Sequence, residues 1–316
     1  MARCFDWWLK CNRLVFGCTF PAGVAGSGHP GSGAFPMSKR LLIVTNGYEG
    51  TWPAIRYGAW VAKTLTLPVT LLGVQEATDE QHPLEYLYGD AIQFLKEARL
   101  DYRLELIEGQ TESVLRERTA KGDVQMLVVG PLGRPPLRRW MVGRSFRHIM
   151  AEVNLPILYV PVERLPLQKV LVCLGGLEYA LAAEHLGVKL AVKNAARIVL
   201  LHVVQPIDLD YPETRKVLAN LEHLIETDTL PGRSLRRALQ EAQAAGLECD
   251  VRVRMGTPVQ EILTEAKEGN YDLLCMGSAY SAHSLRHLYT PNVTAEVAES
   301  SPCPILTARF EAEAAV

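Results

Sequence analysis

The chain repeats itself, and it does so at two fixed offsets. RLLIVTNGYE (40–49) aligns with KVLVCLGGLE (169–178), which sets Leu42 on Leu171, Gly47 on Gly176 and Glu49 on Glu178, 129 positions apart. At the same spacing Ala54, Gly58 and Ala62 fall on Ala183, Gly187 and Ala191, and the run VTLLGV (69–74) lands on VLLHV at 199–203. Further along the spacing becomes 147: Gly109 meets Gly256, Leu127 meets Leu274, Gly130 meets Gly277, Arg139 meets Arg286, and Ala151-Glu152 meets Ala298-Glu299. Matches in one order at two consistent offsets mark a single folded unit used twice. The second copy is longer by about eighteen residues between its second and third strands.

Within each copy, apolar runs of strand length alternate with segments of helical spacing. The runs are 41–45, 69–75, 102–107, 125–129 and 156–160, then 170–174, 198–204, 249–254, 273–276 and 304–308. Pro53 followed by Ile55, Ala59, Ala62 and Leu65 predicts a helix with one apolar stripe. Near-continuous apolar strands between amphipathic helices predict a parallel sheet covered on both faces. Right-handed crossovers then place ligands at the carboxyl ends of the strands, where the strand order reverses. The expectation is α/β: two tandem doubly wound, five-stranded, Rossmann-like domains over 37–163 and 164–310, with a tail at 311–316. The extra residues of the second copy lie in 211–246, a polar helical stretch broken at Pro231-Gly232. Its Glu222, Glu226, Arg233, Arg236, Arg237 and Glu241 read as an exposed charged face.

Residues 1–36 differ in character. Arg3, Lys10 and Arg13 lie among Trp7, Trp8, Phe16 and Cys18, and a Gly/Ser/Pro run follows to Pro36. No apolar core precedes a small-residue cleavage site, and Cys4, Cys11 and Cys18 lack the companion ligands of a zinc site. This segment reads as a disordered extension or a mis-assigned start, with folded structure expected from Met37. Elsewhere Cys173, Cys249, Cys275 and Cys303 stand singly in apolar segments, as reduced buried thiols do. A net charge of −2 gives no electrostatic case for nucleic acid or a membrane surface. No run reaches the eighteen or so apolar residues of a membrane span. A cytoplasmic protein is expected.

Chemistry concentrates in VVGPLGRPPLRRWMVGRS (128–145), after the fourth strand of the first copy. Its glycines fall as Gly130-x2-Gly133-x9-Gly143. Glycine suits a backbone that turns sharply or approaches a ligand closely, and a helix opening after Gly143 favours an anion at its N-terminus. This spacing resembles the G-x2-G-x9-G-[S/T] loop of the nucleotide-binding universal stress proteins. The resemblance runs over roughly 40–161 and again over 169–309. Arg144 departs from it, standing where Ser or Thr is expected, with Ser145 one place later.

The resemblance implies ATP with Mg²⁺ in the first domain. Thr45, Asn46, Val74, Val129 and Gly130 would form the base and ribose wall, and Gly133, Gly143, Arg144 and Ser145 would surround the phosphates. Asn46 stands where ATP-binding members have an Asp, keeping hydrogen-bonding capacity without the charge. Arg134, Arg138, Arg139, Arg144, Arg147 and His148 either attract phosphate or form a solvated face. The second copy keeps Gly277, but has Tyr280 in place of the second glycine, Thr290-Pro291 at the third, and Gly175 at the Asp position. No nucleotide is expected there. The resemblance further implies an internal pseudo-dimer, with 156–160 pairing with 304–308 across a pseudo-two-fold axis.

Other constellations are bland. His283 and His287 sit four apart without a third ligand and read as surface histidines, whereas His202, inside an apolar strand, reads as a hydrogen-bonded core or cleft residue. Trp140 and Met141 read as packing for the loop. No nucleophile elbow, Walker lysine or Cys-x-x-Cys pair is present, so at most slow ATP hydrolysis is expected. The first expectation is a stress-response regulatory or sensing protein that binds adenine nucleotide, with a homodimer or another protein as the candidate macromolecular partner. The alternative is a nucleotide-free scaffold with both sites decayed.

Overall fold

A computed structural model describes residues 39–76, 84–133, 145–175, 180–205, 223–278 and 293–309. The first repeat runs β1 (Arg40–Thr45), α1 (Trp52–Leu65), β2 (Val69–Gln75), α2 (Leu84–Glu97), β3 (Tyr102–Glu108), α3 (Thr111–Thr119), β4 (Val124–Val129), α4 (Ser145–Glu152) and β5 (Ile157–Tyr159). The second runs β6 (Lys169–Cys173), α5 (Leu181–Asn194), β7 (Arg197–Val204), α6 (Leu230–Ala244), β8 (Cys249–Met255), α7 (Pro258–Gly269), β9 (Leu273–Ser278), α8 (Val293–Ser300) and β10 (Ile305–Arg309).

The strands form one ten-stranded sheet in the order β3-β2-β1-β4-β5-β10-β9-β6-β7-β8. Pairing is parallel within each repeat and antiparallel at the centre, where Leu306 of β10 lies opposite Leu158 of β5. Because side chains alternate along a strand, Leu41, Ile43, Leu71 and Val128 pack beneath α1 and α2, while Leu42, Val44, Leu72 and Val129 pack beneath α3 and α4. Each of these two cores continues through the second repeat. Arg309 reaches across from β10 to donate to the Ala151 carbonyl at 2.8 Å, near the end of α4.

The backbone carries the same two offsets as the sequence. Thr66 (φ 56°) and Ala195 (φ 51°) end α1 and α5 in the left-handed region at equivalent positions. Arg99 and Gly246 share a positive φ at the second offset, as do Gly109 and Gly256. One ion pair is kept with its signs exchanged. Arg118 of α3 pairs with Glu105 of β3 at 2.6 Å, and at the corresponding places Glu265 of α7 pairs with Arg252 of β8 at 3.1 Å.

The inserted stretch departs from expectation. Pro231-Gly232 does not break a helix but opens one: Thr229 caps α6 by accepting from the Gly232 N–H at 3.3 Å, and Pro231 sits in the first turn, where a missing N–H costs nothing. Nor is the charge on this helix merely an exposed face. Arg237 forks onto Glu184 of α5 at 2.8 and 3.0 Å, and Glu184 is only 1% exposed. Arg236 donates to the carbonyls of Ile225 and Thr227, both at 2.6 Å. Residues 206–222 lie outside the described residues.

Candidate functional site

In the first repeat the strand order reverses at β1, with β2 on one side and β4 on the other, so the crevice between the carboxyl ends of β1 and β4 is where a ligand belongs. Thr45 ends β1, and Asn46 and Gly47 (φ 88°) turn the chain toward α1. A relay of hydrogen bonds fixes this turn. The Gly47 N–H donates to Thr45 Oγ1 at 3.2 Å, Thr45 Oγ1 lies 2.7 Å from Thr51 Oγ1, and Thr51 Oγ1 donates to the Tyr48 carbonyl at 2.7 Å. Asn46 Oδ1 accepts from the Tyr48 N–H at 3.4 Å. Asn46 is only 6% exposed, and its amide nitrogen meets no hydrogen-bond partner among the described residues.

Across the crevice, β4 delivers Gly130 and Gly133. A Cβ on Gly130 would lie 3.0 Å from Thr51 Cα and 3.1 Å from the Gly50 carbonyl oxygen, so this glycine lets the start of α1 close onto the end of β4. At Gly133 a Cβ would overlap the ring of Tyr48. The same ring covers Gly50, where a Cβ would fall 2.9 Å from Tyr48 Cδ1. Tyr48 thus lies between the loop after β1 and the loop after β4. The spacing of glycines in the sequence did not disclose it; the signal was the pair Gly47 and Gly50 flanking an aromatic residue.

The other expected site residues are distributed unevenly. Thr45 is fully buried and its hydroxyl is engaged in the relay. Val74 of β2 and Val129 of β4 are fully buried in the core, so only their backbones could face a ligand. Ser145 is the first residue of α4. Gly143 and Arg144 lie outside the described residues, as do Arg134, Arg138, Arg139, Trp140 and Met141. Arg147 is exposed and pairs with Glu296 of α8 at 3.6 Å, which joins α4 to the helix in the same position of the second repeat.

The second repeat builds the equivalent region differently. Gly175 follows β6, and among the described residues nothing stands within 4 Å of where its side chain would be. His202, which takes the place of Gly73, is 8% exposed, and its Nδ1 lies 2.7 Å from the Leu174 carbonyl oxygen. Burial holds this imidazole below its usual pKa, so it is neutral and donates through Nδ1–H. Thr294 of α8 donates to the Gly277 carbonyl at 2.9 Å. Tyr280, His283, His287 and Thr290-Pro291 lie outside the described residues. The thiols of Cys249 and Cys303 are each pushed up to about 11, chiefly by burial, and Cys173 and Cys275 are also raised by burial. All four are free. No group of three or more His, Cys, Asp or Glu among the described residues could hold a metal ion, and no described helix is long and apolar enough to cross a membrane.

Sheet order and crevice define a tandem, doubly wound α/β protein. A model of the universal stress protein family matches residues 37–161 and 166–309, and the chain belongs to that family. Its fold is similar to that of a universal stress protein from Archaeoglobus fulgidus DSM 4304 (17% identity, 88% of this chain and 98% of that one, TM-score 0.62). It is also similar to a putative universal stress protein from Pseudomonas aeruginosa UCBPP-PA14 (14% identity, 86% and 93%, TM-score 0.60). A universal stress protein in complex with cAMP matches over 46% of this chain and 98% of its own (22% identity, TM-score 0.36). No curated protein matches the sequence.

Proposed function

We propose that the first repeat holds an adenine nucleotide, ATP accompanied by Mg²⁺, at the β1/β4 crevice, and that the chain is a cytoplasmic stress-response binding protein rather than an enzyme. The observation that carries this reading is Asn46: a buried carboxamide at the switch point whose nitrogen has no partner among the described residues. The residue is 6% exposed, and a ligand acceptor would take the hydrogen bond that this nitrogen does not make among the described residues. Asn46 would donate to the adenosine part of the ligand, the backbones of Val74, Val129 and Gly130 would wall it, and the N-terminus of α4 at Ser145 would face the phosphates. Mg²⁺ would offset phosphate charge when ATP is bound.

One observation favours the second reading, a nucleotide-free scaffold. The space that Gly130 and Gly133 leave open is taken by Thr51, Gly50 and Tyr48, so both glycines serve internal packing. Calorimetric titration with MgATP, ADP and AMP separates the two. Asn46→Ala is the control, because a side chain at Gly130 would strike the Thr51 backbone and disturb the fold. Heat near one site per chain, weakened by Asn46→Ala, supports the nucleotide reading. No heat, with no nucleotide released on denaturation, leaves the scaffold.

A further inference from the structure

The turn after β1 is organised around one side chain. Thr51 fixes the Tyr48 carbonyl from both its N–H (2.9 Å) and its hydroxyl (2.7 Å), Asn46 accepts the Tyr48 N–H at 3.4 Å, and Gly47 supplies the positive φ that starts the turn. On either side of the ring stand residues without side chains, Gly50 and Gly133, and a Cβ on either would collide with it. Five positions in two loops are therefore matched to the seating of an aromatic ring across the mouth of the switch-point crevice. The Thr45–Thr51 relay adds rigidity, since hydrogen bonds in a chain polarise one another.

We propose that Tyr48 is an aromatic latch that controls ligand entry in the first repeat: seated on Gly133 it closes the 130–133 stretch that follows β4, and a phosphate-bearing ligand reaches that stretch only when the ring swings away. The ligand it governs rests on the nucleotide reading; the latch itself does not. Asn46 links the two, because it receives the Tyr48 backbone through Oδ1 while its nitrogen stands open. If the open form is about a tenth of the population, apparent affinity falls about tenfold below that of the open crevice.

Two measurements on the full chain test this. In the first, MgATP affinity is compared for the native protein, Tyr48→Ala and Tyr48→Phe. Removing the ring is expected to tighten binding about tenfold, while the Phe variant, which keeps the ring, stays within about twofold. Unchanged or weaker binding by Tyr48→Ala overturns the latch. The second needs no ligand: hydrogen–deuterium exchange of the 128–133 amides is expected to rise severalfold in Tyr48→Ala with the thermal midpoint unchanged. Unaltered exchange overturns the latch as well. Tyr48→Leu replaces the Ala variant should that one fail to fold. If no variant binds ATP, the nucleotide reading fails, and exchange alone decides whether the ring closes the loop.

Discussion

Replacing Arg118 by Met should be among the costliest single changes in the first repeat. The guanidinium is 3% exposed and forks onto two carboxylates, Glu105 at 2.6 and 2.9 Å and Asp123 at 2.6 and 2.9 Å. Methionine fills the space but leaves two carboxylates facing each other without a counter-charge. Breaking a buried pair by removing one partner costs about 3–5 kcal/mol, and the low end applies because Glu105 remains 29% exposed to water. About 3 kcal/mol corresponds to a fall of roughly 4–5 °C in melting temperature for a chain of 316 residues. The pH dependence follows from Asp123, which the Arg118 hydrogen bond holds below the usual carboxylate range. A depressed carboxylate contributes stability above its unfolded pKa, near 4, and loses it as pH falls through the folded value. In the variant Asp123 loses its counter-charge, and its protonation in acid relieves the repulsion that remains. Urea unfolding should therefore show a gap of about 3 kcal/mol at pH 7 that narrows as pH falls below about 4. A gap under about 1 kcal/mol at pH 7, or one that does not narrow in acid, would refute the reasoning.

Arg237→Ala should destabilise by about 3 kcal/mol in urea titration, because it strands the Glu184 carboxylate inside the second repeat; a loss no larger than a surface pair would give contradicts this. Gly133→Ala should cost about 1–2 kcal/mol alone, from overlap with the Tyr48 ring, and be near neutral in a Tyr48→Ala background; additive effects in this cycle would place the ring elsewhere. His202, whose folded pKa is lowered by burial, binds fewer protons folded than unfolded, so stability should fall as pH drops below about 6.5. His202→Asn keeps a donor for the Leu174 carbonyl, and its unfolding free energy should decline less steeply between pH 7.5 and 5; equal slopes would assign the pH dependence to other groups.

The strands were legible because burial on both faces leaves near-continuous Val, Ile and Leu, and a repeated pattern reads each strand twice. The helix at Pro231 was less so. Proline marks a boundary, and whether it ends a helix or begins one depends on a capping residue such as Thr229. Arg237 looked solvated because periodicity places a residue on a helix face but does not reveal that a carboxylate from α5 lies under it. In the crevice, the chain supplied Gly130 and Gly133 as candidates but not the reason for them. Tyr48 and Gly133 are far apart in sequence, and no local pattern announces that one makes room for the other.

The antiparallel pairing of β5 with β10 carries a consequence for how the two halves can change. In a symmetric homodimer every substitution appears twice, once in each subunit, so damage to one site damages both. Here the partners are covalently joined and meet at an effective concentration that dilution cannot lower. A substitution falls on one half alone. Gly175 and His202 can therefore stand in the second half where Asn46 and Gly73 stand in the first, with the sheet between them continuous. Covalent linkage lets the two halves of one sheet carry different residues at equivalent positions.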